Sequence, residues 1–161
     1  MPASTKSRKR DDARVAVLPA SGQWLAAAAL AVSLAACGGG SDGPDPFALM
    51  EGEAIYKAEC ASCHGAKLEG QADWRKRRPD GKLPAPPHDA TGHTWHHPME
   101  QLVAITKFGM VPPHAPAGYV SDMPAFAAKL TDRQVRNVLM YIESQWPPEI
   151  RAQRAERLRQ N

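Results

Sequence analysis

Apolar positions along the 161-residue chain recur at helical spacing in three stretches. In the first, about residues 47–61, Gly52, Tyr56 and Cys60 stand four apart on one face, with Glu51, Glu53, Lys57 and Glu59 mostly off it. The second runs from Met99 to Phe108, with Leu102, Ile105 and Phe108 apolar and Gly109 as its stop. The third, Leu130 to Trp146, opens on Thr131 as N-cap with Asp132 in the first turn. Its apolar stripe is Val135, Val138, Leu139 and Ile142, and Pro147 and Pro148 end it. Between these lie Pro79–Pro98 and Met110–Pro124, rich in Pro, Gly and His. Loops this long in a small domain need something to organise them. No strand-period alternation and no internal repeat appears, so the pattern predicts an all-α fold. The last stretch, "EIRAQRAERLRQN", is expected to be a solvated, partly helical tail.

The first 36 residues read differently. Lys6, Arg8, Lys9, Arg10 and Arg14 precede the apolar run "WLAAAALAVSLAAC". That run is shorter than the about 20 apolar residues a membrane span takes. Basic start, apolar centre and small-residue end make an export signal; an uncleaved anchor is the alternative. "LAAC", Leu34 to Cys37, resembles the lipobox of bacterial lipoproteins. The resemblance implies cleavage before Cys37 and a lipid on its thiol, against an ordinary signal with an incidental cysteine. An exposed free thiol in an oxidising compartment favours the lipid. The predicted organisation is a signal at 1–36, a flexible lipidated tether at 37–46, a domain at 47–147 and a charged tail at 148–161. From Cys37 onward the chain carries fifteen basic and fifteen acidic residues. Nothing in that balance points to nucleic acid.

Cys60, Cys63 and His64 form the spacing C-x-x-C-H. A structural zinc site would need two more ligands, and no second pair stands at a suitable distance. A thiol redox pair belongs at a helix N-terminus within a βαβ pattern, whereas this pair ends a helix. Covalent haem attachment needs two thiols for the two vinyl groups and an imidazole delivered by the same turn; this motif holds all three. His64 would be one axial ligand. Methionine is the common opposite partner, and Met99, Met110, Met123 and Met140 are the choices. Met123, in "SDMPAF", is preferred because Pro124 biases it toward extended backbone. Met110, after "KFG", is the runner-up.

Together "GEAIYKAECASCHG", "LPAPP", "SDMPAF" and "LTDRQVRNVLMYI" resemble the class I monohaem c-type cytochromes of bacteria, over about residues 47–147. The resemblance implies the class I cytochrome c fold: three main helices and long loops around one covalent haem c. It implies that the first helix crosses the last at Gly52 and Tyr56, meeting Val138 and Tyr141. It implies a proline carbonyl, of Pro86 or Pro87, accepting a hydrogen bond from the proximal His64. It also supports Met123 as the distal ligand; Tyr56 is expected near the haem pocket, and so is Trp95 if its loop lies at the haem rim.

Two loops depart from the minimal pattern. "HDATGHTWHHP", His88 to Pro98, holds four of the six histidines. It is expected to be a haem-rim loop; the sharper alternatives are a second metal site, such as copper, from His93, His96 and His97, or a docking surface. "WRKRRPDGK", Trp74 to Lys82, is expected to be a solvated basic loop, with docking to an acidic partner as its functional alternative. The functional expectation is a lipid-tethered electron carrier on the periplasmic side of a bacterial membrane. It would exchange electrons with redox partner proteins and have no enzyme activity of its own. The rival readings are a haem-based sensor of small ligands and a redox subunit of a larger oxidase or reductase.

Overall fold

The computed structural model describes residues 43–160. The expected signal at 1–36, Cys37 and the first part of the tether lie outside the described residues. Among those residues there are helices and loops and no strand, as expected of an all-α class I cytochrome c fold.

Helix α1 spans Pro46–Ile55, with Asp45 capping it through the Phe47 N–H and Pro46 in the first turn. The chain then stays helical through a π-turn, Tyr56–Cys60, and a short α2, Ala61–His64. The first helical stretch therefore runs three residues past its predicted end. In the π-turn the Ala61 N–H donates to the Tyr56 carbonyl, a wider turn often found at functional sites. Helix α3 spans Met99–Phe108, the predicted bounds. Helix α4 spans Asp132–Ser144, and Thr131 and Gln134 close a reciprocal capping box at its start. Such a cap is worth about 1 kcal/mol.

The core sits where α1 crosses α4. Tyr56, Val135 and Val138 are fully buried there, and each valine contributes about 2 kcal/mol. Gly52 is what allows the crossing. A Cβ at that position would lie 2.1 Å from the Asn137 carbonyl oxygen and 2.9 Å from the Tyr141 Cβ. The Tyr56 and Tyr141 rings meet beside it, centroids 5.6 Å apart. Leu68, Leu102, Phe126 and Trp146 extend the same core.

Two sequence expectations need correction. Phe108 is 55% exposed and not part of the α3 stripe. The buried face of α3 is centred on Leu102 and Thr106, because the chain after Met123 returns there: Phe126 N–H donates to the Thr106 carbonyl and Ala127 N–H to the Lys107 carbonyl. The tail is not simply solvated. It forms α5, Pro148–Arg159, with Pro148 and Glu149 at its start and Arg157 and Arg159 at its end, which suits the helix dipole. Its Arg154 is buried and donates to the carbonyls of Trp95 and His97. The basic loop is solvated as expected, with Arg75, Lys76 and Arg77 exposed, and its Arg78 and Lys82 also pair with Asp122.

Candidate functional site

The end of the first helical stretch presents Cys60, Cys63 and His64 in succession. Gly65, at φ 83°, turns the chain sharply out of α2, a conformation that costs glycine little. The buried Tyr56 hydroxyl donates to the Gly65 carbonyl at 2.8 Å, tying this turn back onto the core. The His64 ring is buried, and its Nδ1 donates to the Pro86 carbonyl at 2.8 Å. The acceptor is therefore Pro86; Pro87 is buried one residue on, its backbone against Gly70 and Gly92. Backbone bonds from Gln71 to Ala85 and from His88 to Leu68 hold the Pro86 segment in place.

A carbonyl only accepts, so the hydrogen bond fixes the tautomer and leaves the Nε2 lone pair free to coordinate. Burial lowers the His64 ring below the ordinary histidine value, against the opposing effect of the Pro86 bond. The ring is thus neutral near pH 7, the form a metal binds.

Cys60 and Cys63 are not joined in a disulfide. Cys60 is half-buried against the core, and burial pushes its thiol up to about 11. A catalytic redox thiol needs the opposite shift, so the site does not suit thiol exchange. The residues do fit haem c. They offer two thiols one helical turn apart and an imidazole with its coordinating nitrogen fixed. Phe108, Val111 and Val120, on the stretch leading to Met123, are 55%, 45% and 56% exposed.

On that stretch Met123 is half-buried and packs against the core, as does Met99; Met110 and Met140 are half-buried. The Met123 N–H donates to Ser121 Oγ at 3.1 Å. Asp122 next to it accepts from Lys82 and Arg78, and these bonds hold its carboxyl below the usual carboxylate range. The basic loop thereby latches the methionine loop. Asp122→Asn is expected to speed limited proteolysis within residues 75–82 and 110–124 at neutral pH and low salt. In 1 M NaCl, where screening already weakens the latch, the difference should shrink; equal cleavage rates at low salt would remove the latch from the account.

The histidine loop is organised by ring stacking. His93 lies parallel to Trp74, centroids 5.5 Å apart, and edge-on to His97 at 5.4 Å. His96 stacks on Trp95 at 3.7 Å. Among the described residues no group of three or more His, Cys, Asp or Glu side chains is placed to hold a metal ion. Trp95 lines a cleft against α5 with Gln153, Glu156, Arg157 and Gln160. His88, the fourth histidine of the loop, stands apart from the rest. Its ring stacks on His64, centroids 3.9 Å apart and planes 24° apart. Burial, with His64 and His93 adding to it, holds His88 well below the usual histidine value. The sequence carried one hint of this: His88 stands two residues after Pro86. It carried none for Trp146, whose indole donates to the His88 carbonyl at 2.7 Å.

No curated protein and no solved structure matches the chain. Residues 47–142, more than half of the chain, match the family described as cytochrome c oxidase, cbb3-type, subunit III. With the attachment motif, the hydrogen-bonded imidazole and the helix crossing already in place, the chain belongs to this family: it is a c-type cytochrome that carries electrons through covalently bound haem c.

Proposed function

We propose that this chain is an exported, lipid-anchored electron carrier holding one haem c, with His64 and Met123 as axial ligands and no catalytic chemistry of its own. The observation that carries the reading is the His64 Nδ1–Pro86 hydrogen bond beside two unpaired thiols. Haem bound there supplies a reversible one-electron couple between ferric and ferrous iron. The chain's residues do the rest. Cys60 and Cys63 would anchor the porphyrin, and the Pro86 carbonyl raises the basicity of His64. With both His64 and Met123 on the iron no position would stay open for substrate, as a carrier requires.

Export is supported by the family, whose members work on the periplasmic side. Among the described residues no helix is long and apolar enough to cross a membrane. The lipid on Cys37 rests on "LAAC" and the glycine-rich tether after it. Mass spectrometry of the mature N-terminus tests it: an unmodified Cys37, or a chain that still begins at Met1, would refute the anchor.

Met123→Ala is the decisive variant for the distal side. The oxidised protein is expected to lose the weak absorption band near the red end of the visible, and the reduced protein to gain rapid CO binding. If Met123→Ala changes neither, Met123 is not the ligand, and Met110→Ala becomes the next variant. Rapid CO binding by the unaltered reduced protein would instead favour the small-ligand sensor. The family's description favours one further role, as a redox subunit docked on an oxidase. Copurification of an oxidase with the membrane-extracted chain separates that role from a free carrier.

A further inference from the structure

The C-terminal segment beyond the family match reaches back to the proximal ligand. Family similarity ends at residue 142, yet Trp146 and Arg154 both bond to the histidine loop. Arg154 is 3% exposed, and its guanidinium donates to the carbonyls of Trp95 and His97. Its Nε lies 3.6 Å from Glu143, and the group sits over the Trp146 ring at 5.3 Å. A buried guanidinium is costly unless it is paired, so this arrangement ties α5 firmly to residues 95–97. Those residues belong to the short 3-10 turn Thr94–His96 and its end. The buried Thr94 hydroxyl on that turn is hydrogen-bonded to His88 Nδ1 at 2.8 Å. The His88 ring in turn lies flat on His64.

One hydrogen bond does not fix a ring. The Nδ1–Pro86 bond restrains where the His64 nitrogen points, but the imidazole still rocks about that bond. A flat neighbour at van der Waals distance removes the rocking. We propose that His88 is a positioning residue that fixes the plane of the proximal imidazole, and that Trp146 and Arg154 of the C-terminal segment hold His88 in place. Helix α5 is then part of the support of the iron ligand. Imidazole orientation enters the electronic structure of the iron, so the support is readable in spectra as well as in stability. The inference rests on His64 being an axial ligand.

The test uses the full-length haem-loaded protein and four variants: His88→Leu, His88→Phe, Thr94→Val and Arg154→Met. The readouts are the haem-methyl proton resonances of the oxidised protein, the midpoint potential, and far-ultraviolet circular dichroism as a control on folding. His88→Leu is expected to move the haem-methyl resonances by several parts per million and to shift the midpoint. His88→Phe, which keeps a flat ring, should return most of that shift. Thr94→Val and Arg154→Met should move the same resonances in the same sense by less. If His88→Leu does not accumulate as folded protein, Thr94→Val and Arg154→Met decide. Folded variants with unaltered methyl resonances and midpoint would overturn the proposal. Failure of the underlying reading looks different: the unaltered protein would lack the hyperfine-shifted imidazole resonances of a coordinated histidine.

Discussion

Replacing Gly52 with valine is expected to leave the protein unable to hold its native fold at 37 °C. The position faces the backbone of α4, where a Cβ alone would sit 2.1 Å from the Asn137 carbonyl oxygen. That neighbour is main chain inside a helix, so it cannot swing aside as a side chain would. The two helices must separate, and separation uncovers Tyr56, Val135 and Val138 together. Overpacking in a core typically costs about 1–3 kcal/mol. Displacing a whole helix pair goes beyond that range, in a domain whose total stability is about 5–15 kcal/mol. Gly52→Ala meets the same carbonyl and is expected to destabilise by at least about 2 kcal/mol. Urea unfolding of the haem-loaded protein measures both. A Gly52→Ala midpoint at the unaltered value would show that the α1–α4 crossing relaxes in a way the close contact does not suggest.

The second large effect concerns the thiols. Cys60→Ala with Cys63→Ala is expected to abolish the haem that stays with the chain on a denaturing gel. It should also strongly reduce the amount of folded, exported protein. The reason is energetic as well as chemical. The loops at 79–98 and 110–124 carry few buried apolar side chains, so the folded state relies on the contacts that a haem makes only there. The thioether bonds hold the haem to the unfolded chain too, and their part is to keep it at high effective concentration as the chain folds. Peroxidase staining of denaturing gels reads the attachment, and circular dichroism of the purified variant reads the fold. Persistent staining in the double variant would mean that attachment uses other residues. Full native helicity without haem would show that the polypeptide core suffices alone.

Much of this was legible in the sequence where the signal is local. The i, i+4 spacing put Gly52 and Tyr56 on one helix face, the family resemblance implied the crossing there, and Thr131 with Asp132 marked the start of α4. The C-x-x-C-H run put two thiols and an imidazole on one turn because their chemistry depends on sequence separation alone. What stayed hidden depends on chain segments that meet only after folding. Pro86 and Pro87 are adjacent, and only the backbone bonds around Leu68 and Gln71 select which carbonyl faces His64. The arginines near the C-terminus read as a solvated face because six charged groups in thirteen residues normally are one. No local pattern marks Arg154 as the member that turns inward, since its partners are carbonyls 57 and 59 residues away. The pairing of Arg78 and Lys82 was hidden for the same reason, their common partner Asp122 lying 44 and 40 residues on.

The π-turn at Tyr56–Cys60 has a further consequence. An uninterrupted α-helix is a rigid screw: rotating one end to improve its packing rotates everything mounted on the other. Here one end is committed to α4 through Gly52 and Tyr56, and the other must aim His64 at the Pro86 carbonyl. A single wide turn between them works as a slip joint. It lets the angular setting of the His64 ring differ from the one that an unbroken screw would impose from the helix crossing. Repacking at Gly52 is thereby buffered from the imidazole, whereas repacking at Tyr56 is passed on to it through the hydroxyl bond to Gly65.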